Sequence, residues 1–419
     1  MKKAFFLITL VSISAGFISC NKKEINSNPN FYANEQLLLA MKEYYLWYDK
    51  IPDVSLIKYE SPVELMDALT YKELDRWSYV TTKQEIEAYY TNAEYTGYGI
   101  GMGFDSEENL WITFIFDDSP LKEFGVNRGW KIARIDNKIV TYDNANNLLA
   151  QNSATFTFIT PNNEEVTVNT SKKVVKMNTV LIDTVYSTAT GNVGYFVLKG
   201  FVTPTAAELD STFKKFKEKN VKELIVDLRY NGGGEVQTAT HLASLIAGSI
   251  ANGKTLGTYV HNDKQADRNS DIKIELADYS LDLSRVVYIT TANSASASEL
   301  IINGLFPFMD ITLVGSDTHG KPVGMYTLSN DSESFNWVFV PICFKIVNAN
   351  GEGDYYNGIP ANIPANDGIN YPFGDLQEAS LGKAMEFLTG ESASKSAFST
   401  QGEIKYPAQK GLRSDIGAW

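Results

Sequence analysis

A serine, a lysine and a glycine turn carry most of the chemistry that this sequence offers. Ser296 lies in Asn293-Ser294-Ala295-Ser296-Ala297-Ser298-Glu299, just after the apolar run Val286-Val287-Tyr288-Ile289. Lys321 closes Ser316-Asp317-Thr318-His319-Gly320-Lys321, and Asp227-Leu228-Arg229-Tyr230-Asn231-Gly232-Gly233-Gly234 follows the strand-like Leu224-Ile225-Val226. Together they supply a hydroxyl nucleophile, an amine base and a turn whose backbone N–H groups can face an oxyanion, the minimal parts of a Ser-Lys hydrolase. A lysine works as a base only when neutral, and burial lowers its pKa by disfavouring the ammonium. His319, two residues from Lys321, is the rival base.

The elements that must hold these residues alternate between strand and helix. Residues 193–198 read as a strand, 204–220 as an amphipathic helix with Leu209, Phe213 and Phe216 on one face, and 224–228 as a short buried strand. Residues 236–247 then predict a helix, 286–290 a strand and 298–306 a helix, giving an α/β core over 181–390. In such units function gathers where strands end and helices begin. Gly232, Gly233 and Gly234 fall at one such point, where glycine permits positive φ and a helix N-terminus leaves N–H groups unpaired. The turn suits an oxyanion hole or a phosphate loop, but the Gly-Lys-Ser/Thr ending of the latter is missing. Ala297 N–H would then be a second oxyanion donor, and loss of one such donor typically costs about 10²–10³ in rate. Taken alone, the Ser-Ala-Ser-Ala-Ser run would be a helix N-cap.

The 419 residues exceed one typical core, so several domains are expected. Residues 31–92 predict a small helical cap, with Leu37, Leu38, Met41, Tyr44, Tyr45 and Tyr48 at helical spacing and another helix opening at Pro62. Residues 93–180 change to short strands and glycine turns, and 391–419 read as a loose, flexible tail. The formal charge is −13, and losing residues 1–19 with Lys2 and Lys3 would leave −15. No Lys/Arg cluster offsets that balance, which argues against a nucleic-acid partner. Lys2-Lys3 followed by a short apolar stretch reads as an export signal, too short for a membrane span. Phe17-Ile18-Ser19-Cys20 resembles a bacterial lipobox, with Cys20 as the site of lipid attachment, residues 1–20 as the signal peptide and polar residues 21–30 as a tether. Cys343 stands in an apolar run and reads as a small buried hydrophobe. No Cys/His spacing suggests a metal, and no cofactor is expected.

Residues 93–180, with Gly97-Tyr98-Gly99-Ile100-Gly101-Met102-Gly103-Phe104, Asp118-Ser119-Pro120 and Ile132 to Asn137, resemble a PDZ domain. That resemblance implies that Gly99, Ile100 and Gly101 offer N–H groups to a peptide C-terminal carboxylate while the neighbouring strand edge pairs with the peptide. Trp130 stands where the family usually has Asp, and Leu121 where a small residue often follows Ser-Pro.

Over roughly residues 31–390 the chain resembles the C-terminal processing (tail-specific) proteases, Ser-Lys peptidases with a crotonase-like α/β core, an N-terminal helical cap and a PDZ-like domain. The motifs are Asp227-Leu228-Arg229 through Gly234, Ser294-Ala295-Ser296-Ala297-Ser298-Glu299 with the middle serine as nucleophile, and Lys321, 25 residues beyond Ser296 as in the family. Asp75-Arg76-Trp77-Ser78-Tyr79 and Gly358-Ile359-Pro360 extend the likeness. The resemblance implies a serine endopeptidase that cleaves protein or peptide tails without a cofactor, and the lipobox-like Phe17 to Cys20 places it in the bacterial cell envelope, lipid-anchored to a membrane and facing the periplasm or the cell surface. Met325 occupies a position where many members carry a glutamine that orients the amine, and Pro322 replaces a common glycine. The alternative is therefore a catalytically weakened lipoprotein that binds peptides through the PDZ-like domain. An esterase on the same dyad is a further rival.

Overall fold

The computed structural model of the protein describes residues 29–330, 332, 335–390, 404–407 and 409–419. The export signal, Cys20 and the tether up to residue 28 lie outside the described residues.

The centre is a six-stranded sheet in the order Val180–Thr188, Gly191–Leu198, Val221–Asp227, Arg285–Thr290, Asp310–Gly315, Ile363–Pro364, with the first pair antiparallel and the rest parallel. Its inner strands Gly191–Leu198, Val221–Asp227 and Arg285–Thr290 read as near-continuous apolar runs because both faces are covered. Val193, Tyr195, Val197, Ile225 and Val287 pack beneath Leu381, Ala384 and Met385 of helix Ala379–Thr389. On the other face Phe196, Leu224, Val226 and Tyr288 share a core with helices Thr205–Glu218, Val236–Ala247 and Ala297–Leu305. Leu209, Phe213 and Phe216 are buried, as their spacing predicts.

Helices Phe31–Tyr44 and Pro62–Leu69 bury Leu37, Met41, Leu65 and Leu69 in that same core. The expected all-helical reading of 31–92 needs one correction. Tyr79–Thr82 is a strand, paired antiparallel with Trp337–Val340, where a short β-branched stretch finds a partner far along the chain.

Residues 93–180 form a separate antiparallel sheet, running Ile100–Phe104, Leu110–Ile115, Lys131–Ile135, Ser153–Ile159, Glu165–Ser171, with a short helix Ala145–Leu149. Tyr98, Ile112, Ile132, Phe156 and Phe158 make its own core, and Ile100–Phe104 is its edge strand.

The C-terminal segment departs from the loose, flexible tail that its sequence predicts. Residues 391–403 lie outside the described residues, but 404–407 and 409–419 are packed rather than loose. Leu412, Ile416 and Ala418 are buried in a cluster with Tyr79, Tyr89, Phe114 and Tyr230, around a short helix Leu412–Ile416.

Candidate active site

Ser296 stands at the N-terminal end of helix Ala297–Leu305 with φ 55° and ψ −111°. A non-glycine residue rarely adopts that conformation; such strain costs on the order of 1–3 kcal/mol and persists only where the surroundings enforce it. Part of the enforcement comes from Gly233. A Cβ there would lie 2.8 Å from Ser296 Cβ and 3.0 Å from the Ala297 nitrogen, and its φ is 107°, so only glycine lets the turn approach this closely. The carbonyl of Asn231 accepts from Ala295 N–H at 3.0 Å and from Ser298 Oγ at 3.0 Å, which ties the glycine turn to the serine loop. The Gly233 N–H donates to Asn231 Oδ1 at 2.9 Å, so in this conformation it has an acceptor within the protein.

Lys321 is buried, with 5% of its surface exposed. Its backbone N–H donates to Glu299 Oε2 at 2.8 Å, and the Ser296 N–H donates to the same oxygen at 2.9 Å. Gly320 N–H and Thr318 Oγ donate to Oε1, each at 2.6 Å. One buried carboxyl group therefore fixes the loop of the serine and the loop of the lysine to each other. Burial pushes the Glu299 pKa up, and its four donors act in the opposite direction.

Burial pulls the Lys321 pKa below the usual lysine range, against the carboxyl groups of Asp415, Asp75 and Glu299, which favour the ammonium. Ser296, Ala297, Gly232, Lys321 and Asp415 line one cleft of about 720 Å³, with Val323, Val338 and Val340 among its apolar walls. Met325 lines it too. Its thioether is only a weak acceptor, so it is a poor substitute for an orienting amide.

His319 is committed elsewhere. Its Nε2 accepts from the Trp77 indole N–H at 3.1 Å and its Nδ1 faces the Ala292 carbonyl at 3.0 Å, which assigns the proton to Nδ1. Burial lowers its pKa as well. A neutral ring with both nitrogens engaged has no free lone pair for the Ser296 proton.

Of the other expected site residues, Gly99, Ile100 and Gly101 lie at the start of the edge strand, where Ile100 N–H donates to the backbone oxygen of Trp419 at 3.4 Å. Cys343 is buried, its thiol pushed up to about 12 by burial, and its Sγ donates to the Pro341 carbonyl. Sequence reasoning assigned no role to Glu299, although a Glu three residues after a capping serine is the pattern that places a carboxylate at an N-cap N–H. It also passed over Asp415, which lines the cleft, and Lys199, a buried lysine on which Asp415 acts; both come from distant segments and leave no local signal.

Two family models match the chain, peptidase family S41 over residues 192–351 and the peptidase S41 N-terminal domain over residues 32–79. The chain belongs to peptidase family S41. This S41 chain is 24% identical over 271 residues to the carboxy-terminal processing protease CtpA of Bacillus subtilis, covering 64% of this chain and 56% of that protein. It is also 24% identical over 266 residues to the "probable CtpA-like serine protease" of Staphylococcus haemolyticus, covering 62% and 51%. The chain thus spans about half the length of the curated relatives it matches. Among solved structures, a candidate S41 protease from Bacteroides fragilis superposes with a TM-score of 0.70 at 20% identity, covering 85% of this chain and 97% of that one. The photosystem II D1 C-terminal processing protease superposes at 0.52 and 18% identity, covering 87% and 98%. These likenesses concern the fold, which is the S41 fold.

Proposed function

We propose that this S41 member is a serine endopeptidase that works through a Ser296–Lys321 dyad and reads the tails of protein or peptide substrates. The observation that carries this reading is Glu299, whose single Oε2 accepts the backbone N–H of both Ser296 and Lys321. A carboxyl group buried for capping alone would have no reason to bind the two loops together.

In this reading neutral Lys321 takes the Ser296 Oγ proton as Oγ attacks the scissile carbonyl carbon. The resulting ammonium protonates the leaving amine, and the ester to Ser296 remains. Water then attacks that ester, giving its proton to Lys321, which passes it to Ser296 Oγ as the acid product leaves. The N–H groups of Gly232 and Ala297 are the candidate oxyanion donors, Gly233 being engaged by Asn231. The parallel sheet with helices on both faces is read as crotonase-like, and residues 93–180 as a PDZ-like module whose Ile100–Phe104 edge takes a substrate tail. Phe17 to Cys20 support a lipid anchor in a bacterial envelope. That is checked by labelled fatty acid, which should enter the wild type and not Cys20→Ser.

Met325 favours a second reading, a peptide-binding lipoprotein with a weakened dyad. Cleavage of one peptide, offered with a free or an amidated C-terminus, separates the two. Turnover that vanishes in Ser296→Ala and slows on amidation supports the tail-reading endopeptidase. Equal kcat/KM for both ends refutes tail reading, and binding without Ser296-dependent turnover favours the second reading.

A further inference from the structure

The edge strand Ile100–Phe104 is already paired. At Phe104, two backbone bonds of 2.7 Å run to and from Lys405. At Ile100, Trp419 N–H donates to the Ile100 carbonyl at 2.9 Å and Ile100 N–H donates to the Trp419 oxygen at 3.4 Å. Tyr95 Oη donates to that same oxygen at 3.3 Å, and the Trp419 side chain packs against the module's core. Between these ends the segment crosses the glycine turn. A Cβ on Gly232 would lie 3.6 Å from the carbonyl oxygens of both Ser414 and Asp415.

Asp415 sits in a built socket. Tyr79 and Tyr90 hydroxyls donate to its Oδ2 at 3.1 and 3.4 Å, and the Tyr89 hydroxyl donates to its backbone oxygen at 2.9 Å. Two buried lysines face it. Lys199 is 4% exposed, pushed down to about 8 by burial with Asp415 acting against the shift, and Lys321 is the other. A Cβ on Gly417 would lie 3.3 Å from Lys199 Nζ.

We propose that residues 404–407 and 409–419 are a built-in ligand of a peptide site running from the Ile100–Phe104 edge to the Ser296–Lys321 cleft, and that they hold the enzyme off. The proposal rests on the dyad reading above. The segment takes the strand edge a substrate tail would use, covers the Gly232 side of the turn, and sets a carboxylate beside the lysine that must be neutral to act. An acidic neighbour favours the ammonium, so Asp415 works against the neutral amine that Lys321 needs to act as a base. Tethering gives the segment an effective concentration of about millimolar, which a free peptide at micromolar concentration does not match. The same contacts define the ligand class: a peptide with an acidic side chain for the Tyr79–Tyr90–Lys199 socket and, four residues on, an aromatic side chain for the Ile100 end.

The test compares the full chain with a variant lacking residues 404–419, each also as Ser296→Ala. Fluorescence anisotropy follows a fluorescein-labelled peptide of sequence 404–419, and a quenched peptide with Asp four residues before a final Trp reports kcat/KM. The labelled peptide should bind the deletion variant and not the full chain. Ser296-dependent kcat/KM should rise about tenfold or more on deletion and fall again when the peptide is added in excess. Asp415→Asn, which keeps the segment's apolar contacts, should raise it part of the way. A peptide that binds both chains alike, or neither, overturns the proposal, as does a folded deletion variant that cleaves no faster than the full chain. Selective peptide binding with no Ser296-dependent turnover in any variant upholds the built-in ligand and overturns the dyad. Should circular dichroism show the deletion variant unfolded, the double variant Asp415→Asn with Trp419→Ala decides by the same outcomes.

Discussion

Two buried carboxyl groups, on Glu299 and Asp415, act on Lys321, and they are held in contrasting ways. Glu299 takes three backbone N–H groups and one hydroxyl, all from the two loops that carry the reactive residues. Asp415 takes side-chain hydroxyls from Tyr79 and Tyr90, and its backbone belongs to a segment laid over the cleft. Removing Glu299 would leave buried backbone donors without an acceptor, whereas the segment contributes no strand to the six-stranded sheet. The first carboxyl group assembles the site and the second covers it, although both raise the Lys321 pKa by the same Coulombic effect.

The largest losses are expected at the dyad. Ser296→Ala and Lys321→Ala should each lower kcat by about 10⁴-fold or more, with unchanged circular dichroism. Lys321→Arg should be as inactive, since a guanidinium stays protonated at any working pH. Glu299→Gln comes next. It keeps the shape but can no longer accept at both oxygens, so peptide assays should show a loss of about 10²-fold in kcat with a folded protein. An effect of less than threefold would reduce Glu299 to an ordinary cap.

The pH profile sharpens the contrast. Only the neutral amine accepts a proton, so kcat/KM should rise with pH through the lowered Lys321 pKa and level off above it. Asp415, Asp75 and Glu299 oppose the lowering, and the neighbouring His319 is itself shifted down. Asp415→Asn removes one opposing charge, so its rising limb should move to lower pH. A limb that stays put would mean that Asp415 does not act on the lysine. The smallest effect expected is that of His319→Ala, a loss of about threefold or less, because its ring serves Trp77 and Ala292 rather than the serine.

The core was legible because strands buried on both faces read as unbroken apolar runs, and helix Val236–Ala247 falls where its pattern placed it. Strand Tyr79–Thr82 was not legible, since its pairing with Trp337–Val340 is a tertiary event. Ser296 and Lys321 were legible by residue type and spacing. Their shared acceptor Glu299 was visible only as a capping pattern, and its grip on the lysine loop needs three dimensions. Asp415 and Lys199 were invisible for the same reason: a single acid between Ser414 and Ile416 reads as solvated tail until Tyr79, Tyr90 and two lysines are folded around it.

The most direct test of the dyad is peptide mapping by mass spectrometry after timed exposure to a fluorophosphonate. Phosphonylation of Ser296 is expected in the wild type and in His319→Ala, with near-complete loss in Lys321→Ala. Label on another residue, or undiminished labelling of Ser296 in Lys321→Ala, would contradict it.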